Sequence, residues 1–99
     1  MPHPSLAFTI ASIIEQLLTV YLWIVIISAV LSWIEPNPYN PIVRFIYSLT
    51  EPVFDFVREH LPVIFAGIDL SPIIVIIVIE ILQVYAIPAL ANVLTFGSV

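Results

Sequence analysis

The 99-residue chain is 62% hydrophobic and 9% charged, with two Lys+Arg, a net charge of −5 and no cysteine. That balance excludes direct nucleic-acid contact, since nothing neutralises a run of phosphates, and it excludes disulfides, thiolate catalysis and Cys-zinc sites. A soluble domain this small cannot hide so much apolar surface, so residues 1–99 read as one membrane unit.

The first apolar stretch, about Leu6–Ile34, is long enough to cross ~30 Å of hydrocarbon as a helix. Pro4-Ser5 or Thr9 suits its start. Pro36 stops it, because proline disfavours helix in the residue before it. The segment is not expected to be a removed signal peptide: it is longer than an ordinary signal core, has no basic N-terminal region and ends in Trp33-Ile34-Glu35-Pro36, without a small-residue cleavage site. Trp33 and Tyr39 suit a membrane–water boundary. Glu15 is expected near the far interface, level with Asn92 of the second span, and solvated. Tyr21, Ser28, Ala29 and Ser32 recur at helical spacing and suit a packing seam.

Pro36-Asn37-Pro38-Tyr39-Asn40-Pro41 cannot be a helix interior. Asn40-Pro41 reads as an N-cap with proline at the first helical position, opening a short amphipathic helix at about 41–49. Thr50-Glu51-Pro52 repeats the device and opens a second, at about 52–60, with Asp55, Arg58 and Glu59 on its polar side. Both are expected to lie in the membrane interface, apolar side down. Asn37, Asn40, Thr50, Asp69 and Ser71 are expected to act mainly as caps. Arg44 is expected to tie the first short helix to Asp69 or Glu51, with Glu35 the remaining nearby acid.

Asp69 or Ser71 caps the second span and Pro72 opens it, at about 72–94, with Pro88 as a candidate kink. Its β-branched run still reads as helix, since a lone strand in lipid leaves its backbone unpaired. Glu80 falls near mid-membrane, where a charge is costly, with Gln83 one turn on. Either the pair handles protons or ions, or Glu80 is held by Gln83, Ser28 or a second copy. The latter is favoured.

No catalytic set assembles from these residues. His3 and His60 lack partners at metal spacing, and two glycines make no phosphate loop. The expectation is a non-enzyme without cofactor or metal. The fold expected is all-α: two transmembrane helices in a hairpin joined by two short amphipathic interfacial helices.

Three blocks carry a family resemblance. They are Ser32-Trp33-Ile34-Glu35-Pro36-Asn37-Pro38-Tyr39-Asn40-Pro41-Ile42-Val43-Arg44-Phe45, then Leu49-Thr50-Glu51-Pro52, then Gly67-Ile68-Asp69-Leu70-Ser71-Pro72-Ile73. Their order and spacing resemble the signature of the YggT (YlmG-like) family, over about Ser32 to Gln83. The resemblance implies a small integral membrane protein of bacteria or plastids with a non-enzymatic role. Members are linked to cell division or nucleoid distribution, to osmotic tolerance, and to maturation of a b-type cytochrome. The chain departs from the family where Asp55 and Glu59 replace positions often basic, where Phe56 replaces a usual proline, and where Ala66-Gly67 replaces a glycine pair. Those departures argue against a polybasic surface patch.

Two functions are weighed. One is a membrane scaffold or assembly factor, working as a homo-oligomer or in a larger membrane complex. The other is an oligomeric pore or transporter-like protein for osmotic or ion tolerance, using Glu80, Gln83 and the Ser28/Ser32 seam. Both are placed in the bacterial inner membrane as multi-pass proteins. Arg44 and Arg58 put the connection in the cytoplasm and the termini outside.

Overall fold

The structure, a computed structural model, describes residues 6–34 and 36–97; for Ala91 and residues 94–97 it describes the backbone alone. The proposed cap at Pro4-Ser5 and the acid Glu35 lie outside the described residues. In chain order the elements are helix α1 (Leu6–Ile34), helix α2 (Pro41–His60), strands β1 (Ile64–Phe65) and β2 (Ile68–Asp69), helix α3 (Ser71–Ile81), a π-helical turn (Leu82–Ala86) and helix α4 (Ile87–Gly97). Two runs are long and apolar enough to cross a membrane, Leu6–Ile34 and Ser71–Leu90.

The start of α2 is built by local chemistry. Asn40 is extended, its Oδ1 accepts the Ile42 N–H at 2.9 Å, and Pro41 follows at the first position. Asn37 closes the turn before it, accepting the Tyr39 N–H at 3.0 Å. The two expected short helices are in fact one. α2 runs through Pro52, and Thr50 and Glu51 are interior residues, not caps. An interior proline costs about 3 kcal/mol in an isolated helix. Here packing outweighs that cost. Val43, Thr50 and Phe54 are buried along one side of α2, and Thr50 Oγ1 donates to the Ile46 carbonyl at 3.2 Å.

An antiparallel two-stranded hairpin, absent from the sequence reading, follows α2: Ile64 pairs with Asp69 and Phe65 with Ile68. Ala66 (φ 53°) and Gly67 (φ 82°) form its two-residue turn. Positive φ at both central residues is the type I′ requirement, which glycine meets freely and alanine only under strain. The pair is too short to read from an alternating pattern.

The second long helix is also not uniform. The Ile87 N–H bonds the Leu82 carbonyl, five residues back. In an unbroken α-helix the Pro88 ring would press on the carbonyl four residues before it. The wider turn just ahead of Pro88 relieves that contact, so the irregularity is a π turn.

The core lies where α1, α2 and α3 meet. Val25, Phe54, Val75 and Ile79 form it, with Leu18, Tyr21, Leu22, Val57 and Ile76 packed around it. α1 contacts α2, α3 and α4, and α2 contacts α3.

Candidate functional site

Arg58 organises the polar end of the molecule. It lies in the last turn of α2, where a cation complements the helix dipole. Its Nε donates to Asp69 Oδ2 at 2.8 Å and its second terminal nitrogen reaches the same oxygen at 2.6 Å. Its first terminal nitrogen bonds Asp55 at 2.8 Å and Glu51 at 3.2 Å. The guanidinium also stands 5.8 Å from the centre of the Phe54 ring. Three carboxylates from two parts of the chain thus converge on one arginine.

The expected tie from Arg44 is therefore corrected. Arg44 is exposed and makes no ion pair among the described residues, while Arg58 binds both acids once assigned to Arg44. The helical phase of α2 explains the exchange. Running unbroken through Pro52, α2 places Glu51, Asp55 and Arg58 on one face beside Asp69. Burial pushes the Asp69 pKa up. Hydrogen bonds from Arg58 and the Ser71 backbone N–H outweigh it and hold the carboxyl below its ordinary value. Arg58 is held charged, since those carboxylate bonds outweigh its own desolvation.

Asp69 also starts the next helix. Its Oδ1 accepts the Ser71 N–H at 2.9 Å. Ser71 itself is fully buried and makes no side-chain capping bond, so the capping role passes to Asp69.

Beside this network is a cleft of about 560 Å³. Its walls are Ser28, Ala29, Ser32 and Trp33 of α1, Tyr47, Glu51, Phe54 and Arg58 of α2, and Gly67, Ile68, Asp69 and Pro72 beyond. All three sequence blocks, or residues next to them, meet here. Pro36, Asn37, Pro38, Asn40, Pro41 and Arg44 do not line it; they shape the approach to α2. The buried hydroxyl of Ser28, one of the cleft walls, bonds the Thr50 hydroxyl at 2.9 Å, and Tyr21 donates to the Leu49 carbonyl at 2.8 Å. Tyr21 and Ser28 thus bind α1 to α2.

The intramembrane polar residues are arranged otherwise than expected. Gln83 donates to Thr19 Oγ1 at 2.7 Å and to the Glu15 carbonyl at 3.3 Å. Glu15 is therefore level with Gln83, and not with Asn92. The registers differ because α2 and the hairpin set α3 deeper against α1 than a simple two-leg turn would. Glu80 is exposed. Neither Gln83 nor Ser28 binds it, since each is bonded elsewhere. A second polar hollow was missed in the sequence. Ser12, Glu15, Gln16 and Thr19, with Val20, surround about 450 Å³ on α1. The signal was present, four polar residues at helical spacing inside an apolar run.

The family model described as CCB3/YggT covers residues 7–90, which includes the cleft and both long apolar helices. An uncharacterized protein of Pseudomonas aeruginosa, PA0392, is 33% identical over 86 residues. That alignment takes in 87% of this chain and 43% of the relative, so the chain spans under half of that protein's length. No solved structure shows significant similarity to it. With its motif blocks gathered on one cleft and the family match running through all of them, the chain belongs to the CCB3/YggT family.

Proposed function

We propose that this protein is a non-enzymatic integral membrane scaffold or assembly factor, whose recognition surface is the cleft beside Arg58. The observation that carries the reading is the convergence of the separated motif residues Ser32, Trp33, Glu51, Arg58, Asp69 and Pro72 around one cavity. The charged groups there are locked to one another, so they shape a surface and are not poised to exchange protons with a substrate.

The same geometry supports a membrane hairpin. A network of one cation and three carboxylates belongs at the water side of the bilayer. The cleft sets it level with the Ser28–Trp33 end of α1 and the start of α3. About 20 helical residues cross ~30 Å of hydrocarbon from there, so the span takes in the earlier part of α1 and the length from α3 into α4. Glu80 then lies near mid-depth, and Gln83 and Glu15 lie in the half of the hydrocarbon toward the termini. α2 rests in the interface. Its exposed stripe Ile42, Phe45, Leu49, Val53 and Phe56 turns to lipid, and Glu51, Asp55 and Arg58 turn to water. The two arginines, both on α2, put the connection in the cytoplasm and the termini outside. The setting is a bacterial inner membrane, and the work is membrane-complex assembly or cell division and nucleoid distribution.

Photo-crosslinking from native membranes tests the reading. A photoreactive residue at Trp33 or Tyr47 is expected to capture a defined protein, and one at Ile10 to capture mainly lipid. Lipid adducts alone at the cleft would overturn it, as would ion flux through liposomes that vanishes in Glu80→Gln. The latter would favour the pore reading, in which Gln83 must give up its bonds to α1.

A further inference from the structure

We infer that the polar row Ser12, Glu15, Gln16 and Thr19 on α1 is the seam where a second copy of this chain docks, two-fold and parallel. The inference rests on α1 spanning the membrane and is otherwise independent of the cleft. Within hydrocarbon a polar side chain facing lipid has no water to bond, so it needs a protein partner. Thr19 has one inside the chain, Gln83, and donates onward to the Glu15 carbonyl at 3.1 Å. The Glu15 carboxyl and the Gln16 amide are exposed and make no hydrogen bond within the described chain, and neither does the Ser12 hydroxyl.

The chemistry of the row selects its occupant. A partner of opposite charge within the spans is excluded for a second copy, because both Lys/Arg residues are on α2. A two-fold axis along the membrane normal sets each residue against itself or its neighbour, so that residue i meets j and j meets i. Glu15 offers acceptors and the Gln16 amide offers donors. Across such an axis the Gln16 N–H of one copy reaches the Glu15 carboxyl of the other, and the reverse bond forms at the same depth. The row is therefore complementary to itself. Ser12 and Thr19, one turn to either side, carry short side chains that permit close approach. The surface is hollowed there by about 450 Å³, giving the second helix a seat. Most of the rest of α1's exposed surface is aliphatic or aromatic, which suits lipid.

The chain has no cysteine, so single cysteines report contact without background. In native membranes, oxidation of Gln16→Cys or Ser12→Cys is expected to give covalent dimers. Ile10→Cys and Leu17→Cys, both exposed on α1, stay monomeric. Dimerisation in liposomes, read by energy transfer between labelled copies, should weaken about tenfold in Gln16→Leu, the scale of one or two interhelical hydrogen bonds. Wild-type chains that remain monomeric overturn the seam, as does equal crosslinking at Leu17→Cys. A proton or cation current through monomers that is lost in Glu15→Gln assigns the row to an ion and also overturns it. Resistance of the chain to alkaline extraction separates a failed seam from a failed membrane reading.

Discussion

A buried hydroxyl in an apolar helix is costly without a partner, and for Ser28 the partner is Thr50. The two removals are not equivalent. In Ser28→Ala, Thr50 keeps its bond to the Ile46 carbonyl, so the loss is expected at about 1 kcal/mol. In Thr50→Val, Ser28 is left without Thr50, and the loss rises to about 2 kcal/mol. The double variant should lose less than the sum, because both singles break one shared bond. Denaturant unfolding in detergent measures all three. Strict additivity would show that the hydroxyl pair does not couple α1 to α2.

At the scale of elements, the ion-paired network joins the end of α2 to the start of α3. Arg58→Lys keeps the charge but removes the planar set of donors that reaches three carboxylates at once. It should lower the thermal midpoint. The Arg58–Asp69 coupling in a double-mutant cycle is expected near 1 kcal/mol, the upper end for pairs that water still reaches. The pH dependence has a defined sign. The Asp69 pKa is depressed in the folded protein, so its contribution is complete above the ordinary carboxylate value, about 4. It is lost as pH falls below that value through the folded pKa, since the unfolded chain then binds more protons. Asp69→Asn should flatten this acid limb of the stability curve. An unchanged limb would place the acid sensitivity at other carboxylates.

For the whole molecule, orientation in the bilayer is the decisive property. Arg44 and Arg58 are the only Lys/Arg residues and both sit on α2, so the positive-inside bias is expected to retain α2 in the cytoplasm. Cysteines placed at His60 and at Ser98 should differ in intact cells: a membrane-impermeant reagent labels Ser98→Cys and not His60→Cys. The opposite pattern reverses the orientation and puts the Arg58 cleft outside the cytoplasm.

Much of this protein is legible in its residues because the relevant physics is local. Two runs of apolar residues are read as spanning helices by length alone, and Asn40-Pro41 starts a helix through a hydrogen bond two residues long. The rest required partners distant in sequence. Pro52 predicts a break, yet α2 continues, because the packing of Val43, Thr50 and Phe54 outweighs one missing backbone bond. Local charge placement pointed to Arg44 as the partner of Asp69 or Glu51 and left Arg58 on the water-facing side of its helix. Only the phase of an unbroken α2 selects Arg58. The level of Glu15 was misread for a related reason: a hairpin register counted from the chain ends takes no account of α2 and the β-hairpin, which set α3 against α1 so that Gln83 meets Glu15 and Thr19. The sequence by itself determined which segments are apolar, where proline and asparagine start a helix, and to which family the motif blocks point. Tertiary structure alone decided which charges pair and which polar groups share a depth, because those depend on how three helices pack and not on spacing along any one of them.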